Sequence, residues 1–282
     1  MKTFVISLQR AVERRKLIKD QLDAIQLPFE FFNAFDGEAL DAEFMAKHAD
    51  SEVVAKWPEF LNPGAVGCAL SHYTIYKRMV EEDIDVALVM EDDVVVSPSL
   101  RKVLADVSLY ITPNDLIMLY FQSSQMVEIS SQKTEKVDQN YSLHYLVKHG
   151  YIKSTVAYVV TKPVAKRLLH ILFPIQTVAD DWCKFKRQEA FNKFRCVLPF
   201  PVQPAGLKSA INYLDQKPIA GRVSSVIDKY TIFPFKQILA RRRKAALSNM
   251  QEYVIVDKDP FSSEDSLNSS LQTQLHSSSD AA

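Results

Sequence analysis

The sequence carries no excess of either charge, since 34 lysines and arginines balance 34 aspartates and glutamates among its 282 residues. Proteins that bind nucleic acid by neutralising phosphates usually carry excess positive charge, so this balance argues against a nucleic-acid partner. The sequence also lacks any run of 18 apolar residues, whereas a helix that spans a bilayer needs about 20. Any membrane contact is therefore expected to be peripheral.

Cysteine is scarce, with only Cys68, Cys183 and Cys196 spread along the chain. Three scattered thiols provide neither a disulfide framework nor a zinc site with closely paired ligands, so a reducing cytoplasm fits best. Residues 4–8 form an apolar run that polar residues then interrupt, which is too short for the core of a signal peptide. This run is expected to be the first strand of the protein itself.

Short apolar runs that alternate with amphipathic stretches predict an α/β fold. The expected strands are residues 3–8, 27–35, 86–90, 116–121 and 154–160. The expected helices are residues 12–25, 40–55, 65–80 and 162–172. Residues 122–142 are polar and rich in serine and glutamine, which is typical of a mobile loop over a site or of an ordinary surface excursion.

The chain is expected to divide into one α/β domain over residues 1–215, an extension over residues 216–260 and a tail over residues 261–282. Residues 235–247 predict a helix with a basic face, made of Lys236, Arg241, Arg242, Arg243 and Lys244. This face either contacts an anionic membrane leaflet, at roughly 1 kcal/mol per cation, or belongs to an ordinary C-terminal helix. The tail has few large apolar side chains and is predicted to be disordered.

Three consecutive carboxylates, Glu91, Asp92 and Asp93, follow the apolar run 86–90 without a break. If the strand continued through them, Glu91 and Asp93 would point to one side and Asp92 to the other. Three negative charges at the tip of a buried strand are unfavourable unless a cation or hydrogen-bond donors compensate them. Mg²⁺ and Mn²⁺ bind carboxylates together with phosphate oxygens of a substrate. The triplet therefore predicts a metal-diphosphate site, and a solvated acidic turn is the alternative.

Residues 64–72, with the sequence GAVGCALSH, place His72 one or two turns into a predicted helix. Because helix N-termini attract phosphate, His72 is predicted to contact a diphosphate or an acceptor, and a purely structural histidine is the alternative. The chain has only six glycines, and those in this block match neither the P-loop nor the dinucleotide-binding fingerprint.

Two further groups of charged residues are candidates for the same site. Arg10, Arg14 and Arg15 follow the first strand, where one of them could reach a phosphate, although a solvated helix face is the more common role. Asp180 and Asp181 follow the last predicted helix. A carboxylate there could act as the general base for an acceptor hydroxyl, or it could cap a helix.

Taken in order, these segments resemble glycosyltransferase family 25, the lipooligosaccharide galactosyltransferase family. The resemblance covers roughly residues 3–212 and rests on these motifs: Val5-Ile6-Ser7-Leu8 with Arg14-Arg15, Ala34-Phe35-Asp36-Gly37, the block 64–72, Glu91-Asp92-Asp93, Ala157-Tyr158 leading into residues 165–169, Asp180, and residues 201–203 with Ser209 and Ile211. The chain departs from the family in two places. Ser154-Thr155-Val156 stand where a glycine often precedes the Ala-Tyr pair, and Asp180-Asp181 doubles a single acid.

The resemblance implies a GT-A fold, a mixed sheet flanked by helices, in which an acidic motif binds a metal and a nucleotide sugar. Carried over to this sequence, Glu91 and Asp93 would hold Mn²⁺ or Mg²⁺, and Asp180 or Asp181 would be the base. Independently of the resemblance, Trp182 follows these two acids and could offer a platform for a sugar ring. The residues implied to bind the nucleotide sugar are Ser7, Arg14, Asp36, Gly37, His72 and Asp92.

The activity implied by the resemblance is an inverting transfer of galactose or glucose from a UDP-sugar to a lipooligosaccharide acceptor. Its expected place is the cytoplasm or the cytoplasmic face of the inner membrane. Two other readings of clustered carboxylates are a metal-dependent phosphohydrolase and a non-catalytic nucleotide-sugar-binding protein. Against the phosphohydrolase, this sequence lacks an Asp-x-Asp-x-Thr element after its first strand.

Overall fold

Strands and helices alternate along most of the chain in the computed structural model, which describes residues 1–149, 152–206 and 253–261. The strands are β1 (Lys2–Ser7), β2 (Glu30–Asn33), β3 (Val86–Glu91), β4 (Val94–Val96), β5 (Asp115–Met118), β6 (Gln122–Ser123), β7 (Val127–Ser130), β8 (Glu135–Lys136), β9 (Ser142–Lys148), β10 (Ile152–Lys153), β11 (Ala157–Thr161), β12 (Lys193–Leu198), β13 (Val202–Pro204) and β14 (Tyr253–Val256). The helices are α1 (Val12–Ala24), α2 (Ala42–His48), α3 (Ser51–Lys56), α4 (Pro63–Glu81), α5 (Leu100–Ser108), α6 (Lys162–Leu172) and α7 (Trp182–Arg187), with a 3₁₀ turn at Gly37–Ala39.

The main sheet is mixed, with the strand order β14-β7-β9-β12-β5-β11-β3-β1-β2 and β8 paired to β9. β2, β1 and β3 run parallel. β11 lies antiparallel between β3 and β5, and β12 runs parallel to β5. The expected fold class, a mixed α/β sheet flanked by helices, is confirmed.

Helices cover both faces of this sheet, and the alternation of side chains in β1 shows how. Phe4 and Ile6 belong to a buried cluster that includes apolar residues of α4 and α6. Val5 belongs to a second cluster, which includes apolar residues of α1 and α5. Because each fully buried side chain of this size stabilises the fold by about 1.5–3 kcal/mol, the two clusters hold β1 and β3 in place between the helices on the two faces of the sheet.

Two expectations about local structure are wrong. The single helix expected over residues 40–55 is two helices, because Ala49 pairs with Ile175 and Asp50 caps α3 by accepting hydrogen bonds from the backbone N–H groups that follow it. Residues 122–142 are not a mobile loop. They contain β6, β7 and β8, and Val127 and Ile129 in β7 are fully buried.

The end of the predicted extension returns to the main sheet. β14 pairs in parallel with β7 at the sheet edge, and Lys258 Nζ lies 2.7 Å from Glu128 Oε2. The predicted basic helix at 235–247 and nearly all of the tail lie outside the described residues. Within the described ranges, no helix is both long and apolar enough to cross a membrane.

Candidate active site

The acidic triplet lies at the carboxyl end of β3, beside the end of β1. The two strands are parallel, with Ile6 in register with Glu91, so Ser7 stands next to Asp92. The Ser7 hydroxyl donates a hydrogen bond of 2.5 Å to Asp92 Oδ2. The carboxyl edge of parallel strands is where open α/β sheets bind ligands, and the triplet occupies that edge.

Arg14, in the first turns of α1, is the cation closest to the triplet. Its Nη1 lies 3.3 Å from Asp92 Oδ1 and 3.6 Å from Asp93 Oδ2. Glu91 faces another group, because its Oε1 accepts a hydrogen bond of 2.5 Å from the Thr155 hydroxyl. The expected alternation, with Glu91 and Asp93 on one side and Asp92 on the other, does not hold. The strand ends at Glu91 and a bend follows, so both aspartates approach the same arginine.

The triplet carries more negative charge than its surroundings compensate. Burial raises the pKa of Glu91 to about 7, and the charges of Asp93, Asp180 and Asp92 act in the same direction against the hydrogen bond from Thr155. Burial also raises the pKa of Asp92, despite the Ser7 hydrogen bond and Arg14. Burial and the charge of Asp92 raise the pKa of Asp93. Three carboxylates beside one arginine are a donor set of hard oxygens that fits Mg²⁺ or Mn²⁺.

The triplet forms one wall of a cleft of about 400 Å³. The opposite walls come from the segment after β1, the turn after β2 and the start of α4. All the residues expected to bind a nucleotide sugar or a metal line this cleft, namely Ser7, Arg14, Asp36, Gly37, His72, Glu91, Asp92 and Asp93. Lining the cleft does not test what each residue does there, so their individual roles stay predictions.

The turn after β2 is held in place by Arg10 and by glycine contacts. Arg10 donates to both carboxylate oxygens of Asp36, at 2.6 and 3.0 Å, and the Arg10 hydrogen bond is the main cause of the lowered pKa of Asp36. A Cβ on Gly37 would lie 2.5 Å from Gly64 Cα, and one on Gly67 would lie 2.7 Å from the Phe35 carbonyl oxygen. The glycines of the block 64–72 therefore allow α4 to pack directly against residues 35–37.

The start of α4 lies at the same cleft. Asn62 caps the helix by accepting a hydrogen bond of 2.9 Å from the backbone N–H of Ala65, and Asn62, Pro63 and Gly64 line the cleft. A helix N-terminus favours negative charge, including phosphate groups. The cleft thus has a helix end that attracts anions and a carboxylate triplet that attracts cations. A diphosphate with a bound metal ion carries both kinds of charge.

His72 is fully buried two turns into α4, at the floor of the cleft. Its Nδ1 lies 2.7 Å from the Tyr158 hydroxyl, which lies 2.6 Å from the Tyr76 hydroxyl. Burial lowers the pKa of His72 to about 3, so its ring is neutral near pH 7. Its Nε2 is buried and has no hydrogen-bond partner within the described part of the chain.

Asp180 and Asp181 occupy different places. Asp181 caps α7, since its Oδ1 accepts from the Lys184 N–H at 3.3 Å and its Oδ2 accepts from the Thr177 hydroxyl at 2.8 Å. Asp180 accepts a hydrogen bond of 3.0 Å from the Ser154 N–H, and its charge contributes to the raised pKa values of Glu91 and Cys68. Neither aspartate is among the residues that line the cleft.

Trp182 cannot serve as a platform for a sugar ring, so that expectation is wrong. Its side chain is 0% exposed. It packs edge-on against Tyr158 and Phe185, and its Nε1 donates to the Ser154 carbonyl oxygen at 3.0 Å. The indole therefore belongs to the core beneath the site.

Sequence reasoning missed Cys68 and Thr155. Cys68 lines the cleft one helical turn before His72, and their spacing of four residues was a visible signal that both side chains share a helix face. Thr155 reaches Glu91 because the backbone before β11 turns sharply, with φ of 98° at Ser154. A positive φ at a serine leaves no local signal in the sequence.

Comparisons with known proteins were made for the whole chain. Residues 1–183 match the model of "Glycosyltransferase family 25 (LPS biosynthesis protein)". A "Glycosyltransferase 25 family member" of Anopheles gambiae is 35% identical over 178 residues, which is 59% of this chain and 28% of that protein. Its namesake in Drosophila melanogaster is 30% identical over 177 residues, which is 59% of this chain and 27% of that protein.

A third relative, "Inactive glycosyltransferase 25 family member 3" of Mus musculus, is 28% identical over 186 residues, which is 61% of this chain and 30% of that protein. The match thus spans less than a third of the length of each of these three relatives. The residues matched by the family model, 1–183, include the acidic triplet and the Asp180-Asp181 pair.

Proposed function

The chain belongs to glycosyltransferase family 25, and on that premise we propose that it is an inverting hexosyltransferase. In this proposal it moves galactose or glucose from a UDP-sugar to a core sugar of lipooligosaccharide or lipopolysaccharide. The observation that carries the proposal is the excess of carboxylates over cations at the carboxyl end of β3, facing a cleft of about 400 Å³. The LPS acceptor is suggested by the description of the family.

The donor is assigned to the part of the cleft between α1, the turn after β2 and the triplet. In this proposal Arg14 pairs with a diphosphate oxygen, and Asp36 and Gly37, which line the same part of the cleft, lie beside the nucleoside. Ser7 holds Asp92 in position through its hydrogen bond. His72, at the floor of the cleft, is neutral and is assigned to the part of the cleft that holds the nucleotide sugar.

Glu91 and Asp93 are the proposed ligands of Mn²⁺ or Mg²⁺. When bound there, such an ion would neutralise charge on the diphosphate of the leaving UDP. The fit rests on the donor set, two carboxylates that line the cleft side by side, and burial together with the neighbouring carboxylates raises the pKa of both groups. Asp92 is the less suitable ligand, because Ser7 and Arg14 already occupy its oxygens.

The transfer itself needs a base on the acceptor side. The base removes the proton of an acceptor hydroxyl while its oxygen bonds to the anomeric carbon, and the bond from that carbon to UDP breaks with its electron pair leaving on the diphosphate. We assign the base to Asp180, which lies close enough to Glu91 to raise its pKa. Asp181 is already engaged as a helix cap.

The proposed place of the reaction is the cytoplasm, at the inner face of the membrane that carries the lipid-linked acceptor. Three free cysteines agree with a reducing compartment. Cell fractionation with an antibody against the chain checks this, and recovery in an oxidising compartment would contradict it.

The decisive experiment offers the protein radiolabelled UDP-galactose or UDP-glucose and truncated lipooligosaccharide acceptors, with and without Mn²⁺. We expect Mn²⁺-dependent transfer of one of the two sugars. Asp93→Asn should lower kcat/KM by about 10³-fold, because loss of an ion-binding carboxylate removes several kcal/mol of stabilisation of the leaving group. Asp20→Asn, which changes an exposed carboxylate on α1, is the matched control and should leave turnover unchanged.

Three outcomes would contradict the proposal. Normal turnover by Asp93→Asn would remove the triplet from the mechanism. Phosphate release from simple esters without any sugar acceptor would favour the phosphohydrolase. Binding of a UDP-sugar without transfer or hydrolysis would favour a non-catalytic binder, a role in keeping with the relative named inactive.

A further inference from the structure

We propose that Cys68, His72 and Glu91 form a binding site for a thiophilic divalent cation of the Zn²⁺ class at the floor of the cleft. One donor atom from each residue lies within 4.8 Å of the other two. A tetrahedral zinc ion about 2.0–2.3 Å from each donor needs donor separations of roughly 3.3–3.8 Å. The proposal therefore includes an adjustment of the Cys68 and Glu91 side chains when the ion binds.

The backbone already brings the three residues together. Cys68 and His72 are four residues apart on α4, so both project from one face of the helix. The same spacing places two zinc ligands on one face of a helix in metalloproteases. Glu91 comes from the end of β3, which lies between the parallel strand β1 and the antiparallel strand β11. Two rigid elements thus supply the site, and no loop has to move to assemble it.

His72 is prepared for a metal on its free side. Its Nδ1 is fixed by the Tyr158 hydroxyl at 2.7 Å, which in turn lies 2.6 Å from the Tyr76 hydroxyl. A metal-binding histidine usually has its other ring nitrogen held by such a hydrogen bond. Its Nε2 is buried and lacks a partner among the described residues, and a buried polar nitrogen without a partner is unfavourable. A cation bonded to Nε2 supplies the missing partner.

Charge and donor type indicate which cation fits. Arg14 pairs with Asp92 and Asp93, and within the described ranges no lysine or arginine forms an ion pair with Glu91. A thiolate and an imidazole with one carboxylate suit Zn²⁺ or Co²⁺, whereas Mg²⁺ prefers oxygen donors alone. Three protein ligands leave a fourth position for water or a substrate oxygen, and all three residues line the cleft.

Binding exchanges a proton for the metal. The Cys68 thiol gives its S–H proton to solvent as the sulfur bonds to the cation, while His72 binds in its neutral form. Glu91 also belongs to the proposed Mn²⁺ site, and that single step rests on the proposed function. Since one carboxylate serves both ions, the two should bind alternately.

The test titrates the metal-free full-length protein with Co²⁺, which occupies zinc sites and reports a cobalt-thiolate bond by a charge-transfer absorption band. We expect the band to saturate at one equivalent and to disappear when Zn²⁺ is added. Cys68→Ser should abolish it, and Cys183→Ser, at the partly buried cysteine of α7, should keep it. His72→Asn should weaken Co²⁺ binding by at least about 10-fold, as expected for loss of one ligand or its orientation.

Asp93→Asn separates this proposal from the proposed function. It removes a carboxylate assigned to Mn²⁺ and leaves Cys68, His72 and Glu91 in place, so the cobalt band should persist. A wild-type protein without the band, or a Cys68→Ser variant that retains it, overturns the proposal. Cys68→Ser changes one atom at a partly buried position, and its thermal melting profile checks that the variant is folded.

Discussion

Buried charges occur at both ends of the strands of the main sheet. At one end each charge has a partner of opposite sign, and at the other end negative charge is in excess. At the amino end of β5, Arg195 Nε and Nη2 donate to the two oxygens of Asp115 at 2.8 and 2.6 Å. Arg195 is 2% exposed and Asp115 is 1% exposed. Arg195 also donates to the Tyr110 carbonyl, and Asp115 accepts from Thr112. At the carboxyl end of β3, Arg14 pairs with Asp92 and Asp93, Arg15 adds a weaker attraction to Asp92, and Glu91 has, among the described residues, only the hydroxyl of Thr155.

The comparison separates charge that stabilises a fold from charge that awaits a ligand. Each charge of the Asp115–Arg195 pair is matched, so nothing from outside the protein is needed there. The triplet has no such match, and burial raises the pKa of all three of its carboxyl groups. Perturbed carboxyl groups in a cleft mark a functional site, whereas a matched pair that joins β5 to β12 marks structure.

The strongest way to break this contrast is to unpair the matched charges. Arg195→Met leaves Asp115 buried without its cation and should destabilise the protein by about 3–5 kcal/mol. Urea denaturation measures the loss. Sugar transfer per folded molecule should not change, because the pair lies at the other end of the strands from the cleft.

A double variant provides the control for this prediction. Replacing both charges, as Asp115→Leu with Arg195→Met, should recover most of the lost stability, since apolar residues can replace a buried ion pair. If the single variant loses less than about 1 kcal/mol, the value typical of an exposed pair, the pair is not the structural element described here.

A smaller loss of stability is expected when the triplet becomes fully charged, and a bound ligand should reverse it. The pKa of Glu91 rises from 4.5 to about 7 on folding, so the folded state holds this proton more tightly than the unfolded state. The stability from that proton is complete below about pH 4.5 and is lost as the pH rises to about 7. Guanidinium denaturation of the metal-free protein at pH 5 and pH 8 should show the loss.

Glu91→Gln should remove this part of the pH dependence, because glutamine does not ionise. Addition of Mn²⁺ with UDP should restore stability to the wild-type protein at pH 8 and not to the variant. A wild-type protein as stable at pH 8 as at pH 5 without ligand would show that the charge of Glu91 is compensated after all.

Sequence patterns predicted the elements whose burial is local. α1, α4 and α6 follow from apolar residues at helical spacing, and β3 follows from an apolar run that neighbours cover on both faces. β7 was missed because it is a short strand within a polar segment, and its two neighbours in the sheet are β9 and β14, the latter more than 120 residues later. Contacts between distant segments of this kind leave no trace in a short window of sequence.

The site was predictable to the same extent. The carboxylates of the triplet were found because they end a buried strand, and the cleft includes every residue expected to bind the donor or the metal. Which partner each carboxylate contacts could not be predicted. It depends on the bend after Glu91 and on Thr155, which precedes the antiparallel strand β11. Trp182 was misjudged because an indole next to two acids has the same sequence pattern in a core and at a surface.

The smallest effect is expected at Asp181, where the contrast between matched and unmatched charge can be tested within one pair of neighbours. Asp181→Ala removes the cap of α7 and should destabilise the protein by about 1 kcal/mol. Asp181→Asn keeps a capping oxygen without the charge and should change neither stability nor transfer. Asp180→Asn, by contrast, should lower kcat by about 10²–10⁴-fold, the usual contribution of a general base. Thermal melts and steady-state transfer assays of the three variants decide between the neighbours. If Asp181→Asn loses transfer while Asp180→Asn retains it, the base is Asp181, and the helix cap must open for the acceptor to reach it.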